Sequence, residues 1–242
     1  MPTLDKSNLE IAHGFYLKSN KEQIWIQVKI GFIALLILAL VFLICWIIGF
    51  FLPLIIAIPI TLSLIAPFFD VPSLKKSGDL VYYSHLFLSE KVKNGKIIVH
   101  GGTLFDYVFA IDRSLNDRER STLIIGQYLE GLVKLIDQLQ KNNSENLTIR
   151  GTSYIINERT AQKLGFKVIQ TDFLQQCILI YNYFNLVCAN SLAKGKLTFP
   201  KLNEIQTFEA GLYDLLERRD FINSLHLKLT RKNNGKRHDA AT

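Results

Sequence analysis

The dominant feature of the hydropathy pattern is a stretch of 40 residues, Ile30 to Phe69, without a charged side chain. As a helix rising about 1.5 Å per residue it would run about 60 Å, twice the roughly 30 Å of a bilayer core. Two crossings fit that length. Gly49 and Pro53 fall at the midpoint, where a turn is needed, so the pattern predicts a two-helix hairpin with arms Ile30 to Ile48 and Leu54 to Phe69. Pro59 and Pro67 would kink the second arm, which leaves a re-entrant wedge as the alternative. A cleavable signal peptide does not match, because the block far exceeds an apolar region of about 7–15 residues and lacks a small-x-small exit site.

Lysines set the orientation. Lys18, Lys21 and Lys29 precede the block, Lys75 and Lys76 follow it, and the turn has none. Lys and Arg collect on the cytoplasmic side, so the expected location is the cell membrane, with both termini cytoplasmic. Tyr16 and Trp25 are placed as interfacial anchors. Cys177 and Cys188 would be reduced on that side, and the sequons at Asn142 and Asn146 become chance matches.

Beyond the block the pattern becomes α/β. Residues 70–95 read as a connector with short strand or helix candidates at Leu80 to Tyr83 and Leu86 to Leu88. Gly101-Gly102 lies between Lys96 to His100 and Thr103 to Ile111, which predicts a hairpin. In the second of those runs Asp106 sits within an otherwise apolar stripe. Asp117 to Lys141 carries apolar residues at three- and four-residue steps, a clear amphipathic helix. A strand over Leu147 to Ile156, a short helix from Asn157 to Leu164 closed by Gly165, and a strand from Phe166 to Ile169 follow. Phe173 to Ala193 is a second charge-free run, but its five carboxamides argue against a third span. It reads as a helix buried in the domain or lying on the membrane surface. Lys196 to Phe199 reads as a strand, and Glu204 to about Leu227 as a final amphipathic helix.

The domain plan is therefore a cytoplasmic N-terminal segment (1–29), a transmembrane hairpin (30–69), a connector (70–95), a cytoplasmic α/β domain (96–230) and a basic disordered tail (231–242). The chain has 242 residues and a net charge of +7. That excess favours an anionic membrane surface over nucleic acid, because Lys and Arg are scattered rather than gathered with exposed aromatics.

No catalytic constellation emerges. The five histidines have no paired ligand spacing, and Cys177 and Cys188 are about 16 Å apart along a helix, so no metal site is expected. There is no Gly-x-Ser-x-Gly elbow, and neither Gly-rich phosphate loop is present. His100, beside Gly101-Gly102, is placed to project toward a site that includes Asp106.

The order of strands and helices over residues 96–170 resembles the central part of the GNAT-type N-acyltransferases. The segment Asn157-Glu158-Arg159-Thr160-Ala161-Gln162-Lys163-Leu164-Gly165-Phe166 is similar to that family's Asn-x-x-Ala-x-x-x-Tyr-x-Lys-Leu-Gly-Phe ending. The resemblance implies a GNAT-like fold, acyl-CoA as cofactor, and Asn157 as the nearest candidate for coenzyme A binding. The chain departs from the pattern: Ala161 stands at the tyrosine position, Tyr154 at the asparagine position, and Arg120 to Gly126 lacks the paired glycines of the pyrophosphate loop.

The fold class expected is a membrane-anchored α/β protein, a two-helix transmembrane hairpin followed by a cytoplasmic domain. The leading functional expectation is a non-catalytic binding or assembly module at the inner face of the membrane. Its partners would be the bilayer and either another protein or its own copy. The alternatives are a membrane-bound GNAT-like acyltransferase and an accessory subunit of a transport or envelope complex.

Overall fold

The computed structural model describes residues 13–142, 147–153 and 156–239; for Asn203 and residues 231–239 it gives the backbone only. The chain enters helix α1 (Asn20–Ile48) through a capping box, in which Ser19 caps the first turn and Glu22 accepts from the Ser19 N–H at 2.8 Å. Gly49, with φ of 73°, ends the helix, and α2 (Leu52–Ile65) begins with Pro53 in its first turn, where a proline sacrifices no helical bond. Pro67 opens α3 (Pro67–Ser77) in the same way. Helix α1 and the continuous run Leu52–Ser77 are each long and apolar enough to cross a membrane. Along α1 only Ala34 and Cys45 are buried, and side chains such as Ile47 and Trp46 are largely exposed.

A six-stranded sheet follows: β1 (Leu80–Ser84), β2 (Phe87–Glu90), β3 (Lys96–Gly101), β4 (Thr148–Ser153), β5 (Lys167–Ile169) and β6 (Gln206–Gly211). The spatial order is β1-β2-β3-β4-β6-β5, antiparallel throughout except for the parallel pair β3/β4. A parallel pair needs a crossover, and α4 (Leu104–Ala110) with α5 (Asp117–Lys141) provides it. Helices α6 (Glu158–Lys163), α7 (Phe173–Tyr181), α8 (Tyr183–Lys194) and α9 (Leu212–Asp239) complete the chain.

The main core lies on one sheet face. Ile97, Val99, Ile149 and Phe208 meet Leu132 and Ile136 of α5 and Leu215 and Ile222 of α9. At β1 the alternation of side chains divides between two cores. Val81 and Tyr83 point to that core, while Leu80 and Tyr82 meet Phe15, Val71 of α3 and Phe105 of α4 on the other side. The root of the hairpin is thus packed into the domain.

Several expectations are corrected. The connector over 70–95 contains two strands of the sheet, and the true hairpin turn is Asn94-Gly95. Both of its residues have positive φ (52° and 72°), the requirement of a tight two-residue turn. The run after Gly101-Gly102 is the helix α4 rather than a strand. Thr103 caps it, and Asp106 at the third helical position accepts from the Thr103 N–H at 2.7 Å, which outweighs the alternation of Phe105, Tyr107 and Phe109. Phe173 to Ala193 is broken at Asn182 into α7 and α8. Lys196 to Phe199 forms no strand, and the helix expected from Glu204 starts only at Leu212, after β6. Helix α9 continues to Asp239 through most of the expected tail. Tyr16 lies against Tyr82 and Phe105 of the domain. The second sequon's Asn146, Asn143-Ser144 of the first, and Tyr154 lie outside the described residues.

Candidate functional site

Strands β3 and β4 pair from Lys96↔Thr148 to Val99↔Gly151 and then part. Beyond that point β3 stays with β2 (His100↔Leu88, Gly101↔Phe87) and β4 stays with β6 (Thr152↔Thr207, Ser153↔Gln206). A wedge opens between them at the carboxyl ends of the only parallel pair among the described strands. In open α/β sheets this is where ligands bind. The wedge leads into a cavity of about 460 Å³, within the size range of small-molecule sites. Leu129 and Leu132 of α5, Leu164 and Phe166 around α6, and Leu225 and Leu229 of α9 wall it. Its polar side chains are few: His100, Tyr128, Thr152, Ser153, Asn157, Thr160 and Lys228.

At the end of β3, Gly101 leaves room for the side chain of Tyr128, which reaches it from α5. A Cβ there would lie 2.2 Å from the Tyr128 hydroxyl oxygen, which is 3.2 Å from the Tyr107 hydroxyl. A larger residue at this position would push the Tyr128 ring away from the strand end.

The two residues singled out in the sequence, His100 and Asn157, both reach the cavity wall. The Nε2 of His100 lies 3.0 Å from Glu90 Oε1 on the neighbouring strand. That hydrogen bond, opposed by partial burial and helped by the charges of His100 and Lys93, holds the Glu90 carboxyl below its ordinary range. Asn157 caps α6, its Oδ1 accepting from the Thr160 N–H at 2.9 Å. Ala161 is buried one turn further along, also on the wall.

Asp106 is not brought to His100. It is fully buried on the hairpin side of the domain, where it accepts from the Tyr82 hydroxyl (2.5 Å) and from the Thr103 N–H and hydroxyl (2.7 and 2.8 Å). His13 Nε2 stands 3.3 Å away, without hydrogen-bond alignment. Burial, and then the neighbouring Asp106 charge, push the Tyr82 phenol far above its ordinary value, so it remains a donor to the carboxylate.

The region where the family pattern places a pyrophosphate loop does not fit that group. Arg120 to Gly126 lies inside α5. The helix begins 11 residues before Tyr128, so its N-terminus stands about 16 Å along the axis from the residue whose hydroxyl reaches the strand end. Its first-turn amides are already committed, with the Arg118 and Glu119 N–H groups donating to Asn116 Oδ1, and Asp117 and Glu119 make the turn acidic. Arg120 spends its guanidinium on the carbonyls of Leu115, Leu192 and Arg113. No phosphate cradle of the kind found at free helix N-termini exists there.

Sequence reasoning missed the contribution of α9, whose Leu225, Lys228 and Leu229 cover the wedge. Nothing local in that helix marks these positions as different from its core face. Among the described residues no group of three or more His, Cys, Asp or Glu is placed to hold a metal ion. Comparisons with protein-family models, with curated proteins and with solved structures find no match for this chain.

Proposed function

We propose that this chain is a membrane-tethered binding module. The hairpin of α1 and α2 crosses the cell membrane with both termini on the cytoplasmic side. The α/β domain at the inner face takes one apolar chain, the acyl tail of a lipid or fatty acid, into the wedge between β3 and β4. The observation that carries this reading is the cavity of about 460 Å³ with its mainly apolar wall, at the carboxyl ends of the parallel pair, in a domain packed onto an apolar hairpin. A few polar groups beside a large apolar lining is how small-molecule sites fix orientation while burial supplies affinity. No bond-making step is assigned to these residues.

The test uses the full chain in lipid nanodiscs and palmitate carrying a photoactivatable diazirine. Adducts are expected on Leu132, Ile156 and Leu225, and Ala161→Leu, which places extra carbon in the cavity, should lower their yield several-fold. Adducts confined to the hairpin, unchanged by Ala161→Leu, would overturn the proposal. An acyltransferase reading draws on His100 and Asn157 sharing one wall. It predicts that palmitoyl-CoA competes at more than tenfold lower concentration than palmitate, and that Asn157→Ala removes this advantage.

A further inference from the structure

Helix α7 has nine residues and none of them is buried. Phe173, Leu174 and Ile180 are 80%, 70% and 63% exposed, an apolar surface that water does not favour. Its two ends show what it faces. The start is tied to the sheet, where the Thr171 and Thr207 hydroxyls lie 2.9 Å apart and Gln176 Nε2 donates to Thr171 O. The far end meets α2. Ser63, fully buried within the hairpin, donates to Tyr181 O at 3.1 Å and lies 3.4 Å from Asn182 Oδ1, while Asn185 Nδ2 donates to Ser63 O at 2.6 Å. The exposed face of α7 is therefore continuous with the apolar surface of the hairpin.

Distances along the helices fix the depth of that contact. Ser63 stands 11 residues past Leu52, about 16 Å from the hairpin turn. In a hydrocarbon core of about 30 Å that leaves about 14 Å to the cytoplasmic boundary. Helix α7 is about 13 Å long, enough to reach from that boundary to the level of Ser63, where its far end is bonded. Two of the carboxamides that weigh against lipid immersion have partners here: Gln176 bonds Thr171 O, and Asn182 Nδ2 bonds Ile178 O at 3.0 Å.

We infer that α7 is a third membrane-embedded element, immersed in the acyl chains of the inner leaflet beside α2, with the α7–α8 break at Asn182 as its deepest point. This inference rests on the membrane reading of the hairpin. It makes the lipid acyl chain the partner of the exposed α7 face, and α8 the strut that returns the chain to the domain, where Leu192 O accepts from Arg120 at 3.0 Å.

The full chain in liposomes made with acyl-chain-brominated lipids tests this, with bromines at several depths. One variant combines Trp25→Phe, Trp46→Phe and Ile180→Trp, and a second keeps Trp46 as the reporter of the hairpin. The indole at position 180 is expected to lose at least half its emission to mid-chain bromines and to resist aqueous iodide. Moving the indole to the helix start with Phe173→Trp should shift the strongest quenching to shallower bromines. Iodide quenching without bromine quenching at 180, while Trp46 responds to bromines, overturns the immersion of α7 and leaves the hairpin reading intact. Failure of Trp46 to respond to bromines at any depth overturns both.

Discussion

Asp106 gathers groups from three separate segments: His13 before α1, Tyr82 of β1 and Thr103 at the cap of its own helix. Lys75 completes the arrangement, with its Nζ 3.4 Å from the centroid of the Tyr16 ring and 5.3 Å from that of Tyr82. A buried carboxylate is tolerable only with such partners, and removing it strands several of them at once. Asp106→Ala should therefore cost about 3 kcal/mol in detergent-solubilised protein, read from urea unfolding, whereas Tyr82→Phe should cost about 1–2 kcal/mol. The pair Glu90–His100 gives a pH signature of its own. Because the folded pKa of Glu90 is depressed, its contribution to stability is complete above the unfolded value of about 4.3 and fades as pH falls through the lower folded value. Thermal melts should show Glu90→Gln less stable than wild type at pH 6, with the gap closing below pH 4. Asp106 was visible in the sequence as a lone acid among apolar residues, but its partners were not. Tyr82 and His13 are 24 and 93 residues away along the chain, and only the fold joins them.

At the scale of elements, the long patterns were legible and the short ones were not. Helix α5 has the predicted bounds, since Leu129, Leu132, Ile136 and Leu139 recur on one buried stripe and Asn116 and Asn142 flank it. Strand β6 was hidden because Thr207 and Phe208 are both buried, on opposite faces, so it shows no alternation, and Gly211 leads straight into α9. Helix α4 misled for a related reason: it is enclosed on all sides, burying Leu104, Phe105, Asp106 and Tyr107 in succession. The Asn94-Gly95 turn was a readable signal set inside an expected connector. Asn157 belongs at this scale, because its measurable job is the cap of α6. Asn157→Ala should cost about 1 kcal/mol in denaturant unfolding through loss of the bond to the Thr160 N–H, with or without ligand. A ligand-dependent increment on top of that cost would add a binding role to the structural one.

For the whole molecule, the coupling of hairpin and domain matters most. Phe15, Val71 and Phe105 come from the N-terminal segment, α3 and α4 and share one small core with β1, so the domain does not hang from a loose linker. With Ser63 joined to Tyr181 and Asn185, the domain is fixed to the hairpin at two levels. The hairpin itself was the most legible part of the sequence, because 40 uncharged residues with punctuation at their centre leave few alternatives. The wedge was half legible: His100 and Asn157 could be nominated one by one, but the parting of β3 and β4 depends on their outer neighbours, β2 and β6, which are distant in sequence from one or both strands. The proposed function rests on the proposed membrane crossing, and labelling from one side at a time tests that crossing most directly. With the native cysteines replaced, Phe50→Cys in the turn and Lys196→Cys in the domain would be exposed to a membrane-impermeant maleimide in sealed vesicles of known orientation. Position 50 is expected to react only from the outer side and position 196 only from the cytoplasmic side. Reaction of both positions from the cytoplasmic side would contradict the crossing, leaving a hairpin that enters the membrane without spanning it.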